Sequence, residues 1–142
     1  MIRPHSAILA LFMAATPTFC LAGMVPIGFE PLTKSAPSDP QDVWSDAEIA
    51  ESESYTRQWI VSAEAAGVAG SSFIVSILFG DLCTLQTCPM RLVHRQADGS
   101  QERLIPAKDG EFEYEQVCQS LEDFAIDIEA RILAACGDQF QF

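Results

Sequence analysis

The chain has 142 residues and a formal charge of −12, eight Lys and Arg against twenty Asp and Glu. A surface this acidic repels phosphate backbones and excludes nucleic-acid binding, while a cationic protein partner, metal cations or solubility alone stay compatible with it. The length holds one small domain with a modest core, and no apolar run beyond the leader approaches the roughly 18 residues of a membrane-spanning helix.

Residues 1–22 read as a cleaved secretory signal. Met1-Ile2-Arg3-Pro4-His5 is a basic n-region, Ala7 to Ala15 an apolar stretch too short to span a bilayer, and Ala22 the small residue before Gly23 at which a peptidase cuts. Cleavage leaves residues 23–142 and removes Arg3, so seven basic residues face twenty acids and the charge becomes −13. A lipoprotein leader, with Cys20 as the first mature residue carrying lipid, is the alternative, but Thr18 and Phe19 are not the small residues that such processing takes. The expectation is an exported protein, secreted or periplasmic, with no integral membrane segment after cleavage.

Pro26, Pro31, Pro37 and Pro40 then withhold the N–H groups that a helix or a central strand would use. Residues 23–54 read as a Pro-rich, acidic N-terminal arm, extended to about residue 45. Within it Ser45-x-x-Glu48 has the capping-box spacing of a short helix. Trp44 has no periodic partners and reads as an exposed aromatic anchor, unless the arm folds back and hides it.

From Tyr55 the period changes to two, and residues 55–142 read as a β-rich, disulfide-bonded domain. Tyr55, Trp59, Val61, Ala63 and Ala65 share one face of a first strand, and Gly67 and Gly70 mark the turn after it. Ser72 to Phe79, with Phe73, Val75, Ile77 and Phe79 on one parity, is the best core strand; Gly80-Asp81 ends it. Met90 to Ile105 reads as a hairpin about Asp98-Gly99 in a type I′ turn. That register pairs Arg95 with Glu102, His94 with Arg103, Val93 with Leu104 and Leu92 with Ile105.

Glu111 to Cys118 predicts a strand with Phe112, Tyr114 and Cys118 on one side and Glu111, Glu113 and Glu115 on the other. Phe124, Ile126 and Ile128 continue the alternation. Glu129 to Ala135 suits either a helix or a strand, and Gln139 to Phe142 a docked edge strand. Six or seven short strands between Gly, Asp-Gly and Ser turns predict an all-β fold, a small antiparallel sandwich or barrel stabilised by disulfides.

The four mature cysteines allow three pairings; the expected one joins Cys83 to Cys88 and Cys118 to Cys136. A zinc site with His94 would want shorter paired spacings than the one Cys-x4-Cys present, and no Cys-x-x-Cys supports a redox enzyme. No metal or other cofactor is expected.

His94 is the only histidine after the leader, so any imidazole-based hydrolysis passes through it, yet no Gly-x-Ser-x-Gly elbow supplies a nucleophile. Gly70-Ser71-Ser72 reads as a turn. Carboxylate pairs are unavoidable among twenty acids and point to no reaction. The Glu111, Glu113, Glu115 row reads first as a solvated face and second as a negative stripe for a basic partner; no Asp-x-Asp-x-Asp-Gly loop makes it a calcium site. Trp59 and Tyr114 share the parity of core residues and are expected to be buried.

These readings favour a non-enzymatic module that binds another protein, a basic one, in the cell envelope or outside it. The expected contact residues are Asp81, Leu82, Thr84, Leu85 and Gln86 in the disulfide-closed loop, with Glu111, Glu113 and Glu115. In size, acidity and disulfides the chain is similar in class to small exported lysozyme inhibitors, with no motif shared residue by residue. The alternatives are such an inhibitor of a cationic secreted hydrolase, a hydrolase using His94 or a carboxylate pair, or a structural protein of the envelope.

Overall fold

Large apolar residues at both parities, as in Ser72 to Phe79, suit a strand only when both of its faces are covered. In the computed structural model this segment is the middle strand of the larger of two antiparallel sheets, with six successive buried residues. The structure describes residues 23–31, 38–51, 55–62 and 68–142, along residues 30–31, 55–59 and 61 as backbone. The expected leader, its Cys20 alternative, Pro37, Gly67, Ala63, Ala65 and the side chains of Tyr55 and Trp59 lie outside the described residues.

In chain order the elements are β1 (Val25–Pro26), β2 (Glu30–Pro31), α1 (Asp46–Glu51), β3 (Tyr55–Ser62), β4 (Ser72–Phe79) and β5 (Thr87–Arg95), then β6 (Gln101–Ile105), β7 (Glu115–Cys118), β8 (Ala125–Asp127), β9 (Ile132–Ala135) and β10 (Asp138–Gln141). The smaller sheet runs β1-β8-β9-β10 and the larger β2-β3-β4-β5-β6, with β7 also on β5. The far edge of β5 is shared: β7 takes Thr87 to Met90 and β6 takes Leu92 to Arg95. The fold is all-β, as the alternation predicts, with more and shorter strands than the expected six or seven.

The main core lies between the sheets. Phe73, Val75 and Ile77 of β4 and Cys88, Met90 and Leu92 of β5 meet Ile126 of β8, Leu133 and Ala135 of β9, and the flanking Ile27 and Phe124. On the other face of the larger sheet, Ile74, Leu78 and Val93 are covered by Val43 and Trp44, with Ile49 of α1 against them.

Trp44 is therefore corrected from exposed anchor to core residue, 1% exposed. Its indole Nε1 donates to Ser76 Oγ at 2.7 Å, and the Arg91 guanidinium lies 4.3 Å from the ring centroid. The sequence around it explains the fold-back. Asp39 accepts from the backbone N–H groups of Gln41, Val43 and Trp44, winding the chain into a turn. The Ser45–Glu48 capping box then starts α1, with Ser45 N–H donating to Glu48 Oε2 (2.9 Å) and Glu48 N–H to Ser45 Oγ (3.3 Å).

The hairpin register is corrected too. Gln96 N–H bonds Ser100 O and Gly99 N–H bonds Gln96 O, so the loop is Ala97-Asp98-Gly99, three residues long, with Gly99 at φ +86°. A type I turn followed by a left-handed glycine makes this loop, whereas a type I′ turn would need two residues. Arg95 consequently faces Gln101, His94 faces Glu102 and Val93 faces Arg103. A bulge at Leu104 absorbs the extra residue and restores the expected Leu92–Ile105 pair.

Only Glu115–Cys118 of the expected Glu111–Cys118 strand pairs with β5, and the chain before it turns away. Phe112 is 69% exposed, Tyr114 is half-buried against Trp44's cluster, and the buried position of β7 is Val117, on the parity assigned to the acids. Glu129 to Ala135 resolves into a turn and β9, and the tail alternation becomes β10 at the sheet edge.

Both expected disulfides form. Cys118 ends β7 in the larger sheet and Cys136 lies between β9 and β10 of the smaller, so this bridge ties the two sheets together covalently.

Candidate partner-binding loop

Between β4 and β5 the chain runs Gly80-Asp81-Leu82-Cys83-Thr84-Leu85-Gln86, and threonines flank an apolar residue in a span closed by the Cys83–Cys88 bridge. Thr84 N–H bonds Thr87 O at 2.8 Å, closing a turn with Leu85 and Gln86 at its apex. Thr84 Oγ1 lies 2.7 Å from Thr87 Oγ1 and accepts from the N–H groups of Gln86 and Thr87 at 3.3 and 3.1 Å. Hydroxyl-to-backbone bonds of this kind replace solvent as partner and fix the turn from inside.

A second clamp comes from across the sheet. Gln119, one residue beyond β7, donates its side-chain Nε2 to Thr84 O (2.7 Å) and its backbone N–H to Gln86 O (3.0 Å). With Cys83 N–H on Gly80 O (2.9 Å), the loop is held at its base, along one side and through its disulfide.

What this frame presents is Leu85, 99% exposed. One exposed leucine is ordinary on a protein surface. A fully exposed leucine on a turn whose peptide groups are tied down is less so, because little ordering entropy remains to be lost when a partner covers it.

The loop brings together Asp81, Thr84, Leu85 and Gln86 as exposed residues and Leu82 as a half-buried one against the Trp44 cluster. The three glutamates are not part of that group. Glu115 faces Met90, three residues along from the Thr87–Cys118 pair beside the loop, about 10 Å at the rise of a strand. Glu111 and Glu113 are exposed beyond it. Gln119 is the loop residue that sequence reading misses: it lies 35 positions from Thr84, and one glutamine carries no signal of such a contact.

His94 faces a different opening. Its ring stacks on Phe73, centroids 4.6 Å apart and 11° between planes, at a pocket of about 570 Å³ where Glu102, Glu129, Arg131, Leu104 and Phe142 meet. The expected neighbour Arg103 is replaced there by Glu102, a consequence of the three-residue hairpin loop. His94 Nε2 is buried with no hydrogen-bond partner among the described residues, and no Ser, Thr or Cys lines the pocket. Among the described residues no group of three or more His, Cys, Asp and Glu is placed to hold a metal ion, and no helix is long and apolar enough to cross a membrane.

Comparison with protein-family models, curated proteins and solved structures gives no match to this chain.

Proposed function

We propose that the protein is a non-enzymatic binding module, exported to the envelope or beyond, that docks its Cys83–Cys88 loop into a cleft of a basic protein. The observation that carries this reading is Leu85, wholly exposed on a turn fixed by a disulfide, by two threonines and by Gln119. An aliphatic apex on a preorganised loop gives a partner apolar contact at small entropic cost. The −13 charge expected after leader cleavage, seven basic residues against twenty acids, speeds the approach of a cationic partner without needing an acid in the loop itself beyond Asp81. Inhibition of a cationic secreted hydrolase is the sharper form of the same proposal: the loop would fill the enzyme's cleft.

The test is capture from envelope and secreted extracts with the oxidised protein, the reduced protein and the Leu85→Asp variant, each at low and high salt. A basic protein held by the oxidised form alone, lost in Leu85→Asp and weakened by salt, supports the proposal. Capture equal in all three forms, or capture of nothing, sinks it. A hydrolase centred on the His94 pocket is the second reading, favoured by the meeting of His94 with Glu102 and Glu129.

A further inference from the structure

In a chain with so few cations, four of them gather on one side of the β5–β6 hairpin: Arg91, Arg95, Arg103 and Lys108. Among the described residues only Arg91 has an acidic partner, Glu48. Arg95 donates to Gln41 Oε1 and Gln41 O, both at 2.7 Å, and these are neutral acceptors. Arg103 Nη1 donates to Glu113 O at 3.2 Å, the same carbonyl that accepts Arg91 Nε at 2.8 Å. Two guanidinium groups sharing one carbonyl repel each other, and no carboxylate among the described residues is in ion-pair contact with Arg103 to offset that.

The unused part of Arg103 has a specific shape. Nε is buried with no partner, and Nη2 makes no hydrogen bond among the described residues. With Nη1 occupied and Nε buried, Nη2 is the guanidinium donor left for an oxyanion, a charge-assisted N–H with no other acceptor among the described residues. Arg103 lines a pocket of about 660 Å³ together with Lys108, Val43, Val93, Asp42 and Glu102. A volume of this order accommodates a small organic ligand.

We propose that this pocket binds a small monocarboxylate, its carboxylate on Nη2 of Arg103, Lys108 at the rim and its apolar part against Val43 and Val93. Charge selects the monoanion. Arg103 and Lys108 are already matched in number by Asp42 and Glu102, and Arg91 is neutralised by Glu48, so one further negative charge is met by local bonding while a dianion is repelled by the rim acids and the whole chain. The site lies on the outer face of the hairpin and is independent of the Leu85 loop.

The experiment is a titration of the oxidised full-length mature chain, followed by the nitrogen-15 signal of Arg103 Nε–H, with benzoate, benzamide and inorganic phosphate as probes. Benzoate is expected to give a saturable shift in the millimolar range, benzamide none and phosphate a weaker one. Lys108→Ala, an exposed position outside the core, is expected to weaken benzoate about tenfold, and Arg103→Lys, which keeps the charge but loses the planar guanidinium that reaches both Glu113 O and the ligand, by at least as much. Benzoate and benzamide acting alike, phosphate binding more tightly than benzoate, no saturable shift, or an unchanged benzoate affinity in Lys108→Ala would each overturn the assignment.

Discussion

Arg91 and Glu48, 43 residues apart, meet in a two-pronged ion pair, Nη2 to Oε1 at 2.8 Å and Nη1 to Oε2 at 3.1 Å, with side chains 9% and 19% exposed. Arg91 also donates to Val43 O at 2.9 Å, so one side chain of β5 holds both the turn before α1 and the helix itself. Burial pushes the Glu48 carboxyl up, but hydrogen bonds from Arg91 and Ser45, with the Arg91 charge, outweigh it and hold the group below its ordinary value of 4.5.

That direction sets a pH dependence. A carboxyl that titrates lower in the folded state contributes stability that is complete above the unfolded value and lost as pH falls through the folded one. In a Trp59→Phe background, where Trp44 is the sole indole, acidification is expected to red-shift its emission as the 38–51 segment detaches. Glu48→Gln should do the same at neutral pH and cost about 2 kcal/mol, between the limits for exposed and buried pairs. An emission maximum that stays fixed in both experiments contradicts the latch.

Trp44 and Ser76 supply a second test of the same covering. Ser76 is fully buried, and Ser76→Ala leaves the indole N–H without its acceptor at a cost of about 1–2 kcal/mol. Trp44→Phe removes the donor and some packing together, and is expected to cost more. The double variant should be less destabilised than the sum of the two, by about 1 kcal/mol in denaturant midpoints analysed as a mutant cycle. Strict additivity would mean that the bond contributes nothing.

How much of this was legible in the sequence depends on the range of the interaction that decides each feature. The alternation in Ser72–Phe79, the Ser45–Glu48 capping box and the tail strand are local patterns, and all three stand as read. The sequence leaves three cysteine pairings open, and the expected one, a short loop closed by Cys83 and Cys88 with Cys118 joined to Cys136, is the one that forms. Local pattern cannot choose between an exposed and a folded-back Trp44, because the partners that bury it, Ser76 and Arg91, lie 32 and 47 positions away. The hairpin register failed on one residue: Asp98-Gly99 fits a two-residue turn, but the left-handed Gly99 also ends a type I turn beginning at Gln96. Asp98 favours that longer loop by accepting from Ser100 N–H and Ser100 Oγ at 2.9 and 2.6 Å. Of the candidate site, the loop closed by Cys83 and Cys88 was readable, while the Gln119 clamp and the separation of the glutamates from the loop were set by strand pairing.

The two disulfides should separate stability from presentation. Replacing Cys118 and Cys136 by Ala opens an 18-residue link between the sheets and is expected to cost about 3 kcal/mol; replacing Cys83 and Cys88 opens a 5-residue link and costs about 2 kcal/mol in the same chain-entropy treatment. Amide exchange near the apex should distinguish them further: Gln86 and Thr87, whose N–H groups donate to Thr84 Oγ1, speed up in the second variant and stay slow in the first, where Gln119 and the local bridge still hold the turn. Equal protection of Gln86 and Thr87 in both variants would show that the threonines and Gln119 suffice without the Cys83–Cys88 bond.

His94 gives the last prediction, which bears on the competing hydrolase reading. A buried Nε2 without a partner costs free energy, and the flat stack on Phe73 is a contact that a phenyl ring reproduces. If the residue serves packing, His94→Phe raises the unfolding free energy by about 1 kcal/mol and leaves capture by the Leu85 loop unchanged, because the two sites do not share a residue. If it serves chemistry, the wild-type chain cleaves an ester, peptide or glycoside in a screen and His94→Phe abolishes that turnover while remaining folded. Stabilisation without any turnover to lose assigns His94 to the core edge; loss of a measured turnover in a folded variant moves the function of the protein to this pocket.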